Sequence, residues 1–111
     1  ISSLRPITPI ILHHHERYDG KGYPSQLAGE EIPIGARIVS VVDSFTAMLS
    51  RRPYRPTLSL QEAVKEIKKN SGTQFDPKVV ESFLKVIQHP EIAEKLRRLP
   101  RQGAGASGGM D

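Results

Sequence analysis

Proline limits every helix this chain can form. Nine prolines are spread over 111 residues, and none of them fits a helix interior, because proline lacks an N–H and clashes with the preceding turn. Between the prolines the apolar residues keep helical spacing, and no segment alternates as a strand does. Thr8 and Pro9 read as an N-cap and a first helical residue. A start nearer Pro6 would put Pro9 inside the hydrogen-bond ladder. Pro33 opens the most apolar helix, about 34–50, and the basic turn Arg51-Arg52-Pro53-Tyr54-Arg55-Pro56 ends it. Ser59 and Glu62 form a capping box for the next helix, with Leu60, Ala63, Val64 and Ile67 inward. Lys68 and Lys69 suit its C-terminus and Gly72 its end. Asp76-Pro77 starts a further helix with Val80, Phe83, Leu84 and Ile87 inward. His89-Pro90 interrupts it, and a last helix runs to about Leu99 with Ile92, Leu96 and Leu99 on one side. The expected fold class is all-α.

The length suits one small domain. Charged residues at 25% and hydrophobic residues at 37% give a soluble globular composition. No apolar run approaches the ~20 residues of a membrane span, and no secretory leader pattern opens the chain. The absence of cysteine excludes disulfides and thiolate metal sites and fits a cytoplasmic protein. A net charge of +4 is spread along the sequence, which does not argue for DNA binding. The chain begins at Ile1 and runs almost at once into its most loaded motif, as a piece cut from a longer protein would. After Pro100, residues 100–111 are a Gly/Ala/Ser-rich tail with nothing to bury, expected to be disordered.

That motif is His13-His14-His15-Glu16-Arg17-Tyr18-Asp19-Gly20-Lys21-Gly22-Tyr23-Pro24. Ile7, Ile10, Ile11, His14 and His15 follow the i, i+3, i+4, i+7, i+8 pattern of a buried helix face. Helical phase therefore selects His14 and His15 and turns His13 outward as a solvated neighbour. The selected pair reads either as metal ligands or as imidazoles capping helix carbonyls. Nitrogen with carboxylate donors suits iron, manganese or zinc better than calcium. Residues 16–33 read as a long ordered loop carrying repeated turn signals. Within it Glu16 and Asp19 serve either to orient imidazoles or to bind loop and cap backbone. Gly20, Gly22 and Pro24 set backbone geometry, and Tyr23 either reaches a ligand or packs.

On the apolar helix, Ile34, Ile38, Val41, Val42, Phe45, Met48 and Leu49 form the expected core face, and Arg37, Ser40 and Ser44 the polar side. Val39 and Ala47 make a second apolar face, with Asp43 four residues from each. A carboxylate so placed is expected to be at least half buried and to need a cation or metal. Arg52 and Arg55 flank a proline on one tight turn and suit a phosphodiester, or else stay solvated. His89, beside a proline, reads as structural or exposed.

The series HHERYDGKGYP, IPIGARIVSVVDSFTAM, RRPYR and FDPKVVESF resembles the C-terminal part of an HD-GYP domain, a branch of the HD superfamily of metal-dependent phosphohydrolases. The resemblance runs over roughly residues 4 to 88, with the motifs in the family's order and spacing. It implies that residues 1–99 are a helical-bundle fragment of an HD-type domain with a long GYP loop. It also implies a site of two or three divalent metals, most often iron or manganese, that hydrolyses cyclic di-GMP. By the same resemblance His14, His15 and Asp43 match metal ligands, Tyr23 lies near substrate, and Arg52 and Arg55 contact its phosphate. The family's His-Asp doublet has no counterpart, since no His-Asp dipeptide occurs in this sequence. The expectation is therefore a portion of a phosphodiesterase, inactive alone, normally joined to an upstream sensor or receiver domain. The alternative is an interaction module that binds GGDEF-type partners through its GYP loop.

Overall fold

A computed structural model describes residues 6–51, 53–54 and 56–98. The expectations for Arg52, Arg55, Leu99 and the tail 100–111 lie outside the described residues. The elements are α1 (Thr8–His13), α2 (Ile34–Leu49), α3 (Leu60–Lys69), α4 (Pro77–Gln88) and α5 (Pro90–Arg97), with a short 3-10 turn at Gly29–Glu31. The all-α expectation holds, and among the described residues the nearest thing to sheet is an isolated bridge between Ser71 and Phe75.

The prolines stand where helices begin. Pro9, Pro77 and Pro90 occupy the first turns of α1, α4 and α5, where a missing N–H costs nothing. The Ser59–Glu62 box closes in both directions: Glu62 N–H donates to Ser59 Oγ (3.1 Å) and Ser59 N–H to Glu62 Oε1 (2.8 Å). His89 ends α4 and caps α5, its Nδ1 accepting from Glu91 N–H (3.3 Å). It is therefore structural and exposed, as expected.

α2 is the spine of the molecule and packs on α1, α3 and α4. Val41, Phe45 and Leu49 form its inward stripe and meet Ala63 and Ile67 of α3, Phe75, and Val79 and Val80 of α4. The Phe45 ring meets Phe83 edge-on at 5.0 Å, a favoured aromatic geometry. One polar link crosses this core. Arg37 on α2 donates to the Asp76 carboxylate (2.7 Å), and its Nε donates to the Ile32 carbonyl (2.8 Å). Asp76 also caps α4 by accepting from Lys78 N–H (2.8 Å). Sequence spacing puts Arg37 on the polar side of the helix, and from there its long stem lets the guanidinium reach a buried acid.

Two expected faces are not buried. No residue of α1 is buried, and Ile7 and Ile11 are exposed. On α2, Ile34, Ile38 and Val42 stand open beside the buried stripe. The cause is common to both: apolar spacing reports a face able to be covered, while among the described residues no element lies over these positions. Against α2, α1 is held close at Gly35, where a Cβ would come within 2.5 Å of the Ile10 side chain.

Candidate functional site

α1 stops at His13, two residues short of the expected run, and His14 becomes its C-cap. His14 Nδ1 donates to the Ile11 carbonyl (2.7 Å). A carbonyl only accepts, so Nδ1 carries a proton, and in the neutral ring Nε2 is the nitrogen left for a ligand. The capping reading and the ligand reading are thus compatible at His14, one on each ring nitrogen. The His14 and His15 rings lie 4.0 Å apart, tilted by 40°. Tyr23 stacks on His15 with ring centroids 5.0 Å apart.

His13 corrects its expectation. It is half-buried and donates through Nδ1 to Glu16 Oε2 (2.9 Å). Helical phase failed there because the helix ends at that residue and the chain folds back at once. Glu16 is only 3% exposed and is the hub of the loop. Its two carboxylate oxygens also accept Ser25 N–H (2.8 Å) and Leu27 N–H (3.0 Å). Burial works to raise its pKa, but the bonds from His13, Ser25 and Leu27 outweigh burial and hold the carboxyl below its usual range.

Gly22 shows why the loop needs glycine. A Cβ there would lie 2.5 Å from the His15 carbonyl and from Arg17 N, so any side chain would collide with backbone. This contact brings Tyr23 beside His15. Gly20 takes a positive φ of 84° in its turn, a conformation glycine adopts freely. Asp19 takes a two-pronged grip from Arg17 (3.1 and 3.0 Å) and also accepts Lys21 N–H (3.1 Å). Arg17, more than any other group, lowers the pKa of Asp19. Of the two uses expected of these acids, Asp19 binds the loop and touches no imidazole. The loop is moored at its far side too, where Tyr18 N–H donates to Gln74 O (3.0 Å) and Asp19 N–H to Thr73 O (2.8 Å).

These constraints frame a cleft of about 200 Å³ lined by His14, His15, Arg17, Asp43, Ser44 and Gln74, with Ser40 further along α2. The structure thus brings His14, His15 and Asp43 to one opening. Asp43 is exposed, which overturns the expected half-burial. α2 turns that position toward the cleft mouth, away from the buried stripe of Val41 and Phe45. Pro24 lies exposed beyond Tyr23. Sequence reasoning missed Gln74 altogether and placed Ser40 and Ser44 on the polar side of the helix without a role. A larger cavity of about 500 Å³ between α2 and α4 is mainly apolar, lined by Ile34, Ile38, Val42, Phe83 and Val86. It holds no histidine, so the chemistry belongs to the smaller cleft.

The donors fit a transition metal in kind, two imidazoles and a carboxylate. They do not fit one in spacing: among the described residues no three His, Cys, Asp or Glu side chains are grouped closely enough to hold a metal ion. Among the same residues no helix is long and apolar enough to cross a membrane.

Fold and cleft together define a small helical protein that gathers nitrogen and carboxylate donors at one edge. The chain belongs to the HD domain family, whose model matches residues 1–79. It is 49% identical over 100 residues to a cyclic di-GMP phosphodiesterase of Thermotoga maritima, covering 90% of this chain and 27% of that protein. It is 49% identical over 76 residues to the cyclic di-GMP phosphodiesterase response regulator RpfG of Xanthomonas campestris, covering 68% of this chain and 20% of the relative. The crystal structure of a cyclic GMP-AMP specific phosphodiesterase from Vibrio cholerae superposes with a TM-score of 0.71 at 30% identity, over 86% of this chain and 22% of that one. The chain therefore spans between a fifth and little more than a quarter of the length of these relatives. The HD-type resemblance stated from sequence is borne out.

Proposed function

We propose that residues 1–99 are the C-terminal portion of a metal-dependent HD-GYP phosphodiesterase that hydrolyses cyclic di-GMP, joined upstream to a sensor or receiver domain. The observation that carries this reading is the His14 ring. Its Nδ1 is tied to the Ile11 carbonyl (2.7 Å), and the ring lines the cleft together with His15 and Asp43. A protonated nitrogen held by a carbonyl is the usual way a metal-binding imidazole is oriented. The names of the relatives support the substrate.

In this reading His14, His15 and Asp43 are ligands for two or three divalent ions in the complete domain, iron or manganese by preference. Bound there, such ions would lower the pKa of a coordinated water and polarise the phosphodiester. Tyr23 braces His15 by stacking and offers its hydroxyl to substrate. Glu16, Gly20, Gly22 and Pro24 hold the loop that presents it. Arg52 and Arg55 take their substrate-phosphate role from the family resemblance.

Because its donor set is short, the isolated chain is expected to be inactive. Incubation with cyclic di-GMP and manganese or ferrous iron should yield no linear dinucleotide. Turnover by this chain that disappears in His14→Ala would sink that claim. A longer form carrying a His-Asp doublet should turn over, and His14→Ala should cost it at least about a hundredfold, the upper end of losses from outer-shell changes. Its metal content, read by atomic spectrometry, should fall in His14→Ala and Asp43→Ala. Full metal content in both variants would refute the ligand assignment.

A second reading is favoured by the exposure of Lys21, Tyr23, Pro24 and Ser25 along the loop. Here the chain is a non-catalytic module that binds a GGDEF-type partner. Capture of a GGDEF domain should then be lost when Lys21→Ala and Tyr23→Ala are combined, and undiminished capture would exclude the loop.

A further inference from the structure

The cleft carries hydrogen-bonding groups that metal ligation leaves unused. Gln74 lines it from the connection between α3 and α4, and Ser40 and Ser44 line it from successive turns of α2. The Gln74 backbone is committed elsewhere, its N–H donating to Asn70 O (3.1 Å) and its carbonyl accepting from Tyr18 N–H (3.0 Å). What Gln74 offers the cleft is its carboxamide, which is half-buried and has no hydrogen-bond partner among the described residues. The backbones of Ser40 and Ser44 belong to the α2 ladder, so these residues offer hydroxyls, equally without a partner among the described residues.

A carboxamide at the edge of a cleft with no protein partner keeps both donors available to a ligand. The charges around the space are largely committed. Arg17 is spent on Asp19 and Glu16 on His13, Ser25 and Leu27, which leaves the Asp43 carboxylate, taken up by metal in the proposed reading, and the neutral donors of Gln74, Ser40 and Ser44 beside the two imidazoles. Size narrows the choice of ligand. About 200 Å³ is below the roughly 300 Å³ at which pockets enclose a whole drug-sized ligand. A phosphodiester with its adjoining sugar edge is within that size.

We propose that Gln74, with Ser40 and Ser44, donates hydrogen bonds to the non-bridging oxygens of a phosphodiester bound at the His14–His15 cleft. This rests on the phosphodiesterase reading and adds to it the residues that grip the anion without metal. Both serines sit one turn apart on a rigid helix, and Gln74 is fixed at both backbone groups. The three donors are therefore positioned before any ligand arrives, which lowers the ordering cost of binding.

The test is a nuclear magnetic resonance titration of the isotope-labelled 111-residue chain with cyclic di-GMP, with dimethyl phosphate and with guanosine. The Gln74 carboxamide signals, assigned by their loss in Gln74→Ala, should shift with the first two and stay still with guanosine. Gln74→Ala should weaken cyclic di-GMP binding about threefold to tenfold, the worth of one neutral hydrogen bond. Gln74→Glu, which sets a carboxylate against the phosphate, should weaken it further. Neither variant should move the melting temperature, because the side chain binds nothing in the described protein. Silent Gln74 signals while His14 and His15 respond to the diester would overturn this proposal and leave the phosphodiesterase reading standing. A response to guanosine alone would also overturn it, moving Gln74 to base contact. Silence at all these residues would overturn this proposal, while the phosphodiesterase reading stands or falls on turnover by the longer form.

Discussion

Gly22 shows how much of the site hangs on single atoms. A methyl group there has no free direction, since the His15 carbonyl, Arg17 N and Glu16 Cα all lie within 2.7 Å of it. Gly22→Ala should therefore destabilise the chain by about 1–3 kcal/mol, the usual cost of overpacking, measurable by urea denaturation. It should also separate Tyr23 from His15, seen as loss of the ring-current shifts each imposes on the other. Unchanged stability and shifts would mean that the loop repacks. The glycine was legible in the sequence as a geometric requirement, but its neighbours were not. The histidines were legible in part. Selecting His14 and His15 by helical phase reached the residues that share the cleft with Asp43. The phase itself did not apply, because α1 ends at His13. The same premise made His13 a bystander, although it is the residue that Glu16 holds. Asp43 misled in the opposite sense: apolar neighbours four residues away suggested burial, while the cleft opens at that point.

Among the elements, the joint between α2 and α4 is the strongest polar link. Asp76 is buried, and burial alone would raise its pKa. Arg37 and the N–H groups of Lys78 and Val79 outweigh burial and hold the carboxyl below its usual range. A depressed folded-state pKa means stability gained on ionisation. That contribution is fully present above the unfolded value of about 3.9 and is lost as pH falls through the folded value. Acid titration of unfolding free energy should show this loss, and Asp76→Asn should flatten it. Equal acid slopes in the two proteins would refute the assignment. Asp76→Ala at neutral pH should cost about 3–5 kcal/mol, as removal of one member of a buried pair does. The Asp76-Pro77 start signal disclosed the cap. It gave no hint of Arg37, thirty-nine residues away, because local spacing carries no information about a partner on another helix.

Across the whole molecule, the apolar surface is divided unequally. The buried stripe of α2 meets α3 and α4, while Ile34, Ile38 and Val42 beside it stay open, with Val86 of α4 across the same cavity. Substitution should separate the two sets. Ile38→Glu and Val42→Lys should each change unfolding free energy by no more than about 0.5 kcal/mol, as exposed positions do. Phe45→Ala should cost about 3–5 kcal/mol. A large loss at Ile38 would show that something covers it in solution. The fold class was legible because prolines and caps mark helix ends locally. Which apolar face is buried was not, since that depends on which other elements are present to meet it.

The mooring of Tyr18 and Asp19 to Thr73 and Gln74 has a temporal consequence. Those partners are more than fifty positions apart in the chain, and closing so long a loop is entropically unfavourable until other contacts shorten it. The α3–α4 turn can form from neighbours, and the strand of loop beneath the histidines must wait for it. In pulse-labelled refolding, amide protection at Tyr18 and Asp19 should appear after protection within α3 and α4. Simultaneous protection would show that the chain closes in a single concerted step. If the order is as expected, the histidine cleft is the last part of the molecule to be born.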